Sequence, residues 1–147
     1  LIINDDLALA LAVGADGVHL DRNDDRLGAA RAALGDGATI GVSCCDSLQR
    51  ARDAAAAGAS YVSFGAFFPS PTKPLAPRAS VELLRQSAAL GLPRVAIGGI
   101  TSDNGRVLVD AGADYLAVIS AVFGSMHVRA AAQRFTDMYS SLPGKAP

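Results

Sequence analysis

Three segments of the chain repeat one pattern: Gly14-Ala15-Asp16-Gly17-Val18, Gly58-Ala59-Ser60-Tyr61-Val62 and Gly112-Ala113-Asp114-Tyr115-Leu116, spaced 44 and 54 residues apart. Each follows an Ala-rich helical stretch and precedes an apolar run. Glycine suits the left-handed position just past a helix end, from which a short loop re-enters a sheet. A helix stop that feeds a strand, repeated at this period, predicts stacked βα units.

Reading outward from these anchors, strands are expected near 1–4, 17–20, 38–43, 61–66, 94–100 and 115–120, each a short apolar run suited to burial on both faces. Amphipathic Ala- and Leu-rich helices are expected near 6–13, 25–34, 47–57, 80–90, 103–111 and 127–141, the second and third carrying Arg on their polar sides. Strict alternation implies a parallel sheet in an α/β fold. No Gly-rich fingerprint follows any strand, which argues against an open doubly wound dinucleotide-binding sheet and for a (β/α)8 TIM barrel. Six units do not close an eight-stranded barrel of about 250 residues. The first residue is Leu1, within the apolar run Leu1-Ile2-Ile3. The expectation is a barrel truncated to about six C-terminal βα units, with two units upstream.

The 147 residues are 50% apolar, enough for one core, so a single domain over 1–147 is expected. With 13 basic and 14 acidic residues the net charge is -1, which gives no general attraction for nucleic acid or an anionic membrane. Small-molecule substrates are the expected partners. Cys44 and Cys45 are adjacent, which fits neither a disulfide framework nor a zinc site and points to a reducing cytoplasm. No apolar run approaches the roughly 20 residues of a membrane span.

In a parallel barrel the chemistry sits where strands end. Here those ends are polar: Asn4, Asp5 and Asp6 after the first strand, Asp21 through Asp24 after the second, Ser43 after the third. Carboxylates from separate strand ends suit Mg2+, which takes one or two of them together with waters and substrate phosphates. Asp5 and Asp24 are the candidate ligands, although the residues alone favour the plainer reading that Asp5 or Asp6, and Asp24 or Asp25, cap the following helices. The loop from Gly65 to Arg78 is the one connection dense in proline, and its Ser70, Thr72 and Lys73 offer hydroxyls and a cation for anionic oxygens. Gly98-Gly99 lets backbone amides approach an anion, and with Ile119-Ser120 it lies at the last two strand ends, where such barrels often hold phosphate near a helix N-terminus. The alternative there is a tight turn with Ser120 as a cap. His19 reads as a satisfied core residue, Cys44 and Cys45 as packing, and His127 as surface.

Taken in order, Leu1-Ile2-Ile3-Asn4-Asp5, Gly17-Val18-His19-Leu20, Ile40-Gly41-Val42-Ser43, Phe64-Gly65 through Lys73, Ala96 through Thr101 and Val118-Ile119-Ser120-Ala121 resemble the thiamine phosphate synthase family over nearly the whole chain. Pro-Ser-Pro-Thr-Lys at 69–73 is the most specific piece. The resemblance implies a transferase that joins 4-amino-2-methyl-5-(diphosphooxymethyl)pyrimidine to a thiazole phosphate, carboxylated or not, releasing pyrophosphate. It implies that Asn4, Ser43 and Lys73 bind the pyrimidine diphosphate, with Ser43 and Lys73 acting on its leaving group. It further implies that Asp5 and Asp24 hold Mg2+ and that Ser70, Pro71, Thr72, Gly99, Ile119 and Ser120 bind the thiazole phosphate. The implied path is dissociative: pyrophosphate leaves, a pyrimidine methylene cation forms, and the thiazole nitrogen captures it. Two features depart from the family. Asp21-Arg22-Asn23 replaces the usual Gly-Gln ahead of Asp24, which makes Asp21 an alternative ligand, and the family's early pyrophosphate-binding Gln and basic residues would lie upstream of Leu1. A thiazole tautomerase of the same fold and a non-catalytic phosphate-binding barrel are the competing readings.

Overall fold

A computed structural model describes residues 1–21, 26–69 and 78–140. In it the three glycine repeats are the joints of the fold. Gly14, Gly58 and Gly112 have φ of 62°, 87° and 100°. After each, the alanine amide reaches back into the preceding helix: Ala15 N to Ala10 O at 2.9 Å, Ala59 N to Ala54 O at 3.0 Å, Ala113 N to Leu108 O at 2.9 Å. The glycine amides donate to Leu11, Ala55 and Val109. These paired bonds are the Schellman closure, which satisfies the last carbonyls of a helix while reversing the chain.

The third position of the repeat then ties the chain to the neighbouring strand. Amides of Asp16, Ser60 and Asp114 donate to the carbonyls of Leu1, Ile40 and Arg94 at 2.9, 2.7 and 2.9 Å. Side-chain oxygens return the bond, Ser60 Oγ accepting from Ile40 N and Asp114 Oδ2 from Arg94 N, both at 3.0 Å. A short polar residue here sets the pairing register.

Six strands follow from these joints: β1 (Ile2–Asn4), β2 (Gly17–Leu20), β3 (Thr39–Cys45), β4 (Tyr61–Phe64), β5 (Arg94–Ile97) and β6 (Tyr115–Ala117). They form one parallel sheet in the order of the sequence. The helices are α1 (Leu7–Ala12), α2 (Leu27–Leu34), α3 (Leu48–Ala56), α4 (Glu82–Gln86, continued as a 3-10 turn over Ser87–Leu90), α5 (Arg106–Asp110), α6 (Ser120–Phe123) and α7 (Val128–Ser140). The expected parallel α/β architecture is present as six strands of a curled half-barrel. Val18, Leu20, Ile40, Val42, Val62, Phe64 and Ala96 alternate onto the buried face.

Burial on both faces holds only for the central strands. The edge strands β1 and β6 each alternate exposed, intermediate, exposed, because each has a single strand neighbour among the described residues. Other differences are local. The helix expected over 80–90 changes to 3-10 geometry at Ser87, whose buried hydroxyl donates to Leu84 O. The helix expected over 103–111 starts late because Asn104 Oδ1 accepts from Thr101 N at 2.8 Å, closing a turn first. Arg31, expected on a polar face, instead donates to the carbonyls of Gly35, Asp36, Ala38 and Gly58 and to Ser60 Oγ, stitching α2 to the next joint. Among the described residues no helix is long and apolar enough to cross a membrane.

The third joint makes a stability prediction. Asp114 Oδ2 also accepts from Arg94 Nε at 3.0 Å, and the two side chains are only 23% and 15% exposed. Asp114→Ala leaves the guanidinium and the start of β5 short of an acceptor in a mostly buried place, at an expected cost of about 2–4 kcal/mol in chemical denaturation. Asp114→Asn keeps one acceptor oxygen and is expected to lose less than half of that. An alanine variant as stable as the parent would contradict this role.

Candidate active site

Parallel register aligns residues of successive strands. Asn4 pairs with His19, His19 with Gly41, and Gly41 with Tyr61, so these four share one level on the face opposite the helices. Gly41 leaves a gap that the Tyr61 ring fills: a Cβ on Gly41 would stand 2.0 Å from Tyr61 Cζ. The tyrosine thereby reaches His19, with ring centroids 5.5 Å apart and planes 18° from parallel. His19 Nδ1 lies 2.8 Å from Tyr61 Oη, and His19 Nε2 lies 3.0 Å from Ser43 Oγ, one level nearer the strand ends. Burial holds the imidazole below the usual histidine pKa, while the carboxylates of Asp5 and Asp21 pull it back up.

Just past Ser43 the register slips. Ser43 pairs with Ser63 but Cys45 with Phe64, so Cys44 is the extra residue of a bulge. Cys44 is fully buried, and desolvation pushes its thiol up to about 12, so it is inert packing as expected. Cys45 has φ of 52° and is half-buried.

At the end of β1 the two acidic residues divide their roles. Asp6 is the cap of α1, its Oδ1 accepting from Leu9 N at 2.8 Å. Asp5 is not a cap. It takes φ of 58°, a region that Asp tolerates better than most residues. Its Oδ1 accepts from Asp21 N at 2.7 Å and its Oδ2 from Asn4 Nδ2 at 2.8 Å. The ends of β1 and β2 are thus joined through one half-buried carboxylate, whose oxygens keep lone pairs for another partner. Arg26 Nη2 donates to Asp5 O at 3.1 Å. The donor set is hard oxygen at an open strand end, which fits magnesium. Among the described residues no group of three His, Cys, Asp or Glu is placed to hold a metal.

The far end of the sheet is built from backbone. Gly98 and Gly99 have φ of 92° and 65°. The chain after β4 runs alongside them, Phe67 N donating to Ile97 O at 3.2 Å and Phe68 N to Gly98 O at 3.0 Å. Asn104 Nδ2 holds Gly99 O at 3.1 Å. This leaves the amides of Gly99 and Ile100 without a partner among the described residues. The last pair of the ladder between β5 and β6 is Ile97 with Ala117, and Gly99 and Ile119 each follow it by two residues beyond the strand ends. Ile119 is 74% exposed. Its carbonyl accepts from Val122 and Phe123, starting the one-turn helix α6 at Ser120. No side chain caps α6, so Ser120 is not the cap allowed for by the tight-turn reading.

Asn4, Asp5, Ser43, Gly99, Ile119 and Ser120 therefore all lie in β3 or just at or beyond strand ends, on one rim of the sheet. Asp24, Ser70, Pro71, Thr72 and Lys73 lie outside the described residues. His19, expected as a satisfied core residue, has both ring nitrogens within hydrogen-bond distance of a hydroxyl, but it lies beneath the rim beside Tyr61, which no sequence motif had singled out. The signal was present: in Gly17-Val18-His19-Leu20 and Tyr61-Val62-Ser63-Phe64 the period of two sets His19 and Tyr61 opposite the buried apolar residues. His127, expected at the surface, is exposed.

The family model for thiamine monophosphate synthase matches residues 1–122. Over 135 residues the chain is 60% identical to a thiamine-phosphate synthase of Xanthomonas campestris pv. campestris (strain 8004), covering 92% of this chain and 65% of that protein. It is 65% identical over 126 residues to a thiamine-phosphate synthase of Azoarcus sp. (strain BH72), covering 85% and 61%. A solved thiamine phosphate pyrophosphorylase from Pyrococcus furiosus superposes with a TM-score of 0.79 at 37% identity, covering 93% of this chain and 65% of that one. The chain spans less than two thirds of the length of these three relatives. The rim, the half-barrel and this match agree: the chain belongs to the thiamine monophosphate synthase family.

Proposed function

We propose that the chain carries the thiamine phosphate synthase reaction, condensing 4-amino-2-methyl-5-(diphosphooxymethyl)pyrimidine with thiazole phosphate to give thiamine phosphate and pyrophosphate. The observation that carries this reading is the division of labour after β1. Asp6 caps the helix, while Asp5 is held at the rim by Asn4 and by the Asp21 amide, its carboxylate oxygens keeping lone pairs for a further partner. A cap alone would not require the second carboxylate.

In this proposal the pyrimidine diphosphate lies over Asn4, Ser43 and Lys73, with hydroxyl and ammonium hydrogens directed at the departing pyrophosphate. Magnesium, bound by Asp5 with Asp24 or Asp21, supplies charge neutralisation for that leaving group. Ser70, Pro71 and Thr72 line the thiazole, and the amides around Gly99, Ile119 and Ser120 receive its phosphate. Anchoring each substrate by its phosphate holds the thiazole nitrogen against the pyrimidine methylene carbon, which favours capture of a short-lived cation over its loss to water. Bond breaking precedes bond making, so no side chain acts as a covalent nucleophile. The substrates are multiply charged, and the proposal places the reaction in the cytoplasm.

The test is to incubate the natural full-length polypeptide with both substrates and magnesium and to assay thiamine phosphate and pyrophosphate. Equimolar formation of the two is expected. A folded protein that forms neither overturns the proposal.

A further inference from the structure

The proposed chemistry leaves Tyr61 unused, yet the sheet is shaped around it. Its ring takes the space that only a glycine at position 41 leaves open, lies against His19, and brings Oη to 2.8 Å from Nδ1. The other imidazole nitrogen is 3.0 Å from Ser43 Oγ. Phenol, imidazole and hydroxyl thus form a continuous chain across β4, β2 and β3 that ends at the rim.

A neutral imidazole has one N–H donor and one bare nitrogen, so the chain has two polarities. In the first, Tyr61 donates to Nδ1, Nε2–H donates to Ser43 Oγ, and the hydroxyl hydrogen of Ser43 is free to point outward. In the second, Ser43 donates to Nε2, Nδ1–H donates to Tyr61, and Ser43 offers only lone pairs to whatever binds. The second polarity costs more at the tyrosine end. Among the described residues Nδ1 is the only hydrogen-bond partner found for Tyr61 Oη, so reversal leaves the half-buried phenolic hydrogen without an acceptor among those residues.

We infer that Tyr61 is a positioning residue that, through His19, holds the Ser43 hydroxyl hydrogen toward the rim as a donor to an anionic oxygen. This rests on the proposed function in one respect: the anion is the diphosphate of the pyrimidine substrate. The relay explains why a glycine, a tyrosine and a histidine occupy one level beneath the serine. It also makes the serine a fixed donor, which suits an acceptor-only ligand and disfavours a ligand that presents an N–H or O–H there.

The test compares the parent with Tyr61→Phe, which keeps the ring over Gly41 and removes only the hydroxyl. At about pH 8, above the ordinary histidine range, nitrogen-15 NMR of His19 is expected to show Nε2–H and a bare Nδ1 in the parent, shifting toward a mixture of tautomers in Tyr61→Phe. Affinity for magnesium pyrophosphate, used as the probe, is expected to fall about fivefold, the worth of one neutral hydrogen bond. In a Ser43→Ala background the same tyrosine change is expected to have no further effect, an outcome a purely structural role would not give. A parent that carries Nδ1–H, tautomers unmoved by Tyr61→Phe, or losses that add in the double variant overturn the inference. A parent that shows the Nε2–H tautomer but has no affinity for pyrophosphate refutes the proposed function, and the tautomer result alone then supports the relay.

Discussion

Asp5→Asn is expected to lower magnesium-dependent turnover by about two orders of magnitude while leaving thiazole phosphate affinity within about twofold of the parent. Asparagine is nearly isosteric and tolerates the left-handed backbone that Asp5 adopts at φ 58°. Its side-chain oxygen still accepts one of the two bonds that Asp21 N and Asn4 Nδ2 now donate to the carboxylate. The fold is therefore retained and the loss is of charge. Residues that merely support a metal ligand are worth about 10–100-fold, so loss of a ligating carboxylate belongs at or above the top of that range. Two measurements separate the effects. Calorimetric titration is expected to show weakened magnesium binding, with turnover partly regained at high metal concentration. Titration with thiazole phosphate reads the far end of the rim, where the proposal seats that phosphate, and an equal loss there would contradict the proposed separation of two anion sites.

Gly99→Ala is expected to damage that far end instead. At φ 65° an L-side chain is strained, and its Cβ would stand 2.4 Å from Pro69 O and 2.5 Å from Phe68 O. Those are main-chain oxygens, one of them on the residue whose amide binds Gly98 O. Relief of the clash requires the segment after β4 to lift off the glycine turn. Left-handed strain of about 1–2 kcal/mol and overpacking of about 1–3 kcal/mol place the loss of stability at about 2–5 kcal/mol. Thiazole phosphate affinity is expected to fall more than about tenfold, because the Gly99 and Ile100 amides move with the turn. Gly58→Ala is the control. Gly58 also has positive φ, at 87°, but nothing lies within 4 Å of its added Cβ, so only the strain remains and binding is retained. Equal loss of affinity in both variants would show that general destabilisation, not the shape of the turn, is responsible.

The elements most legible in the sequence were those fixed by local chemistry. The repeats at Gly14, Gly58 and Gly112 announced three helix ends because a left-handed joint needs glycine whatever surrounds it. The strand Gly17–Leu20 was placed to the residue for the same reason. What was not legible depended on partners distant in sequence. Arg31 sits on an amphipathic helix like any solvated arginine, and only the fold gathers four carbonyls around it. The choice between Asp5 and Asp6 as the cap was undetermined by composition and was settled by a backbone turn at Asp5. His19 and Tyr61 are 42 residues apart, so their contact is a property of strand register. Gly41 between them was readable within Ile40-Gly41-Val42-Ser43, but nothing local shows that a distant ring fills the space it leaves.

The pairing of every strand with its sequence neighbour also bears on how the molecule acquires its structure. Each joint closes its helix with bonds inside a few residues and grips a strand laid down one unit earlier. Contact order is correspondingly low for a parallel sheet, so the entropic barrier is crossed in small steps, each stabilised by the unit before it. If the units dock in chain order, the far end of the rim is assembled last, with the fifth and sixth units. Lesions at the Asp114 joint are then expected to act late and mainly speed unfolding, whereas lesions at the Ser60 joint slow folding itself.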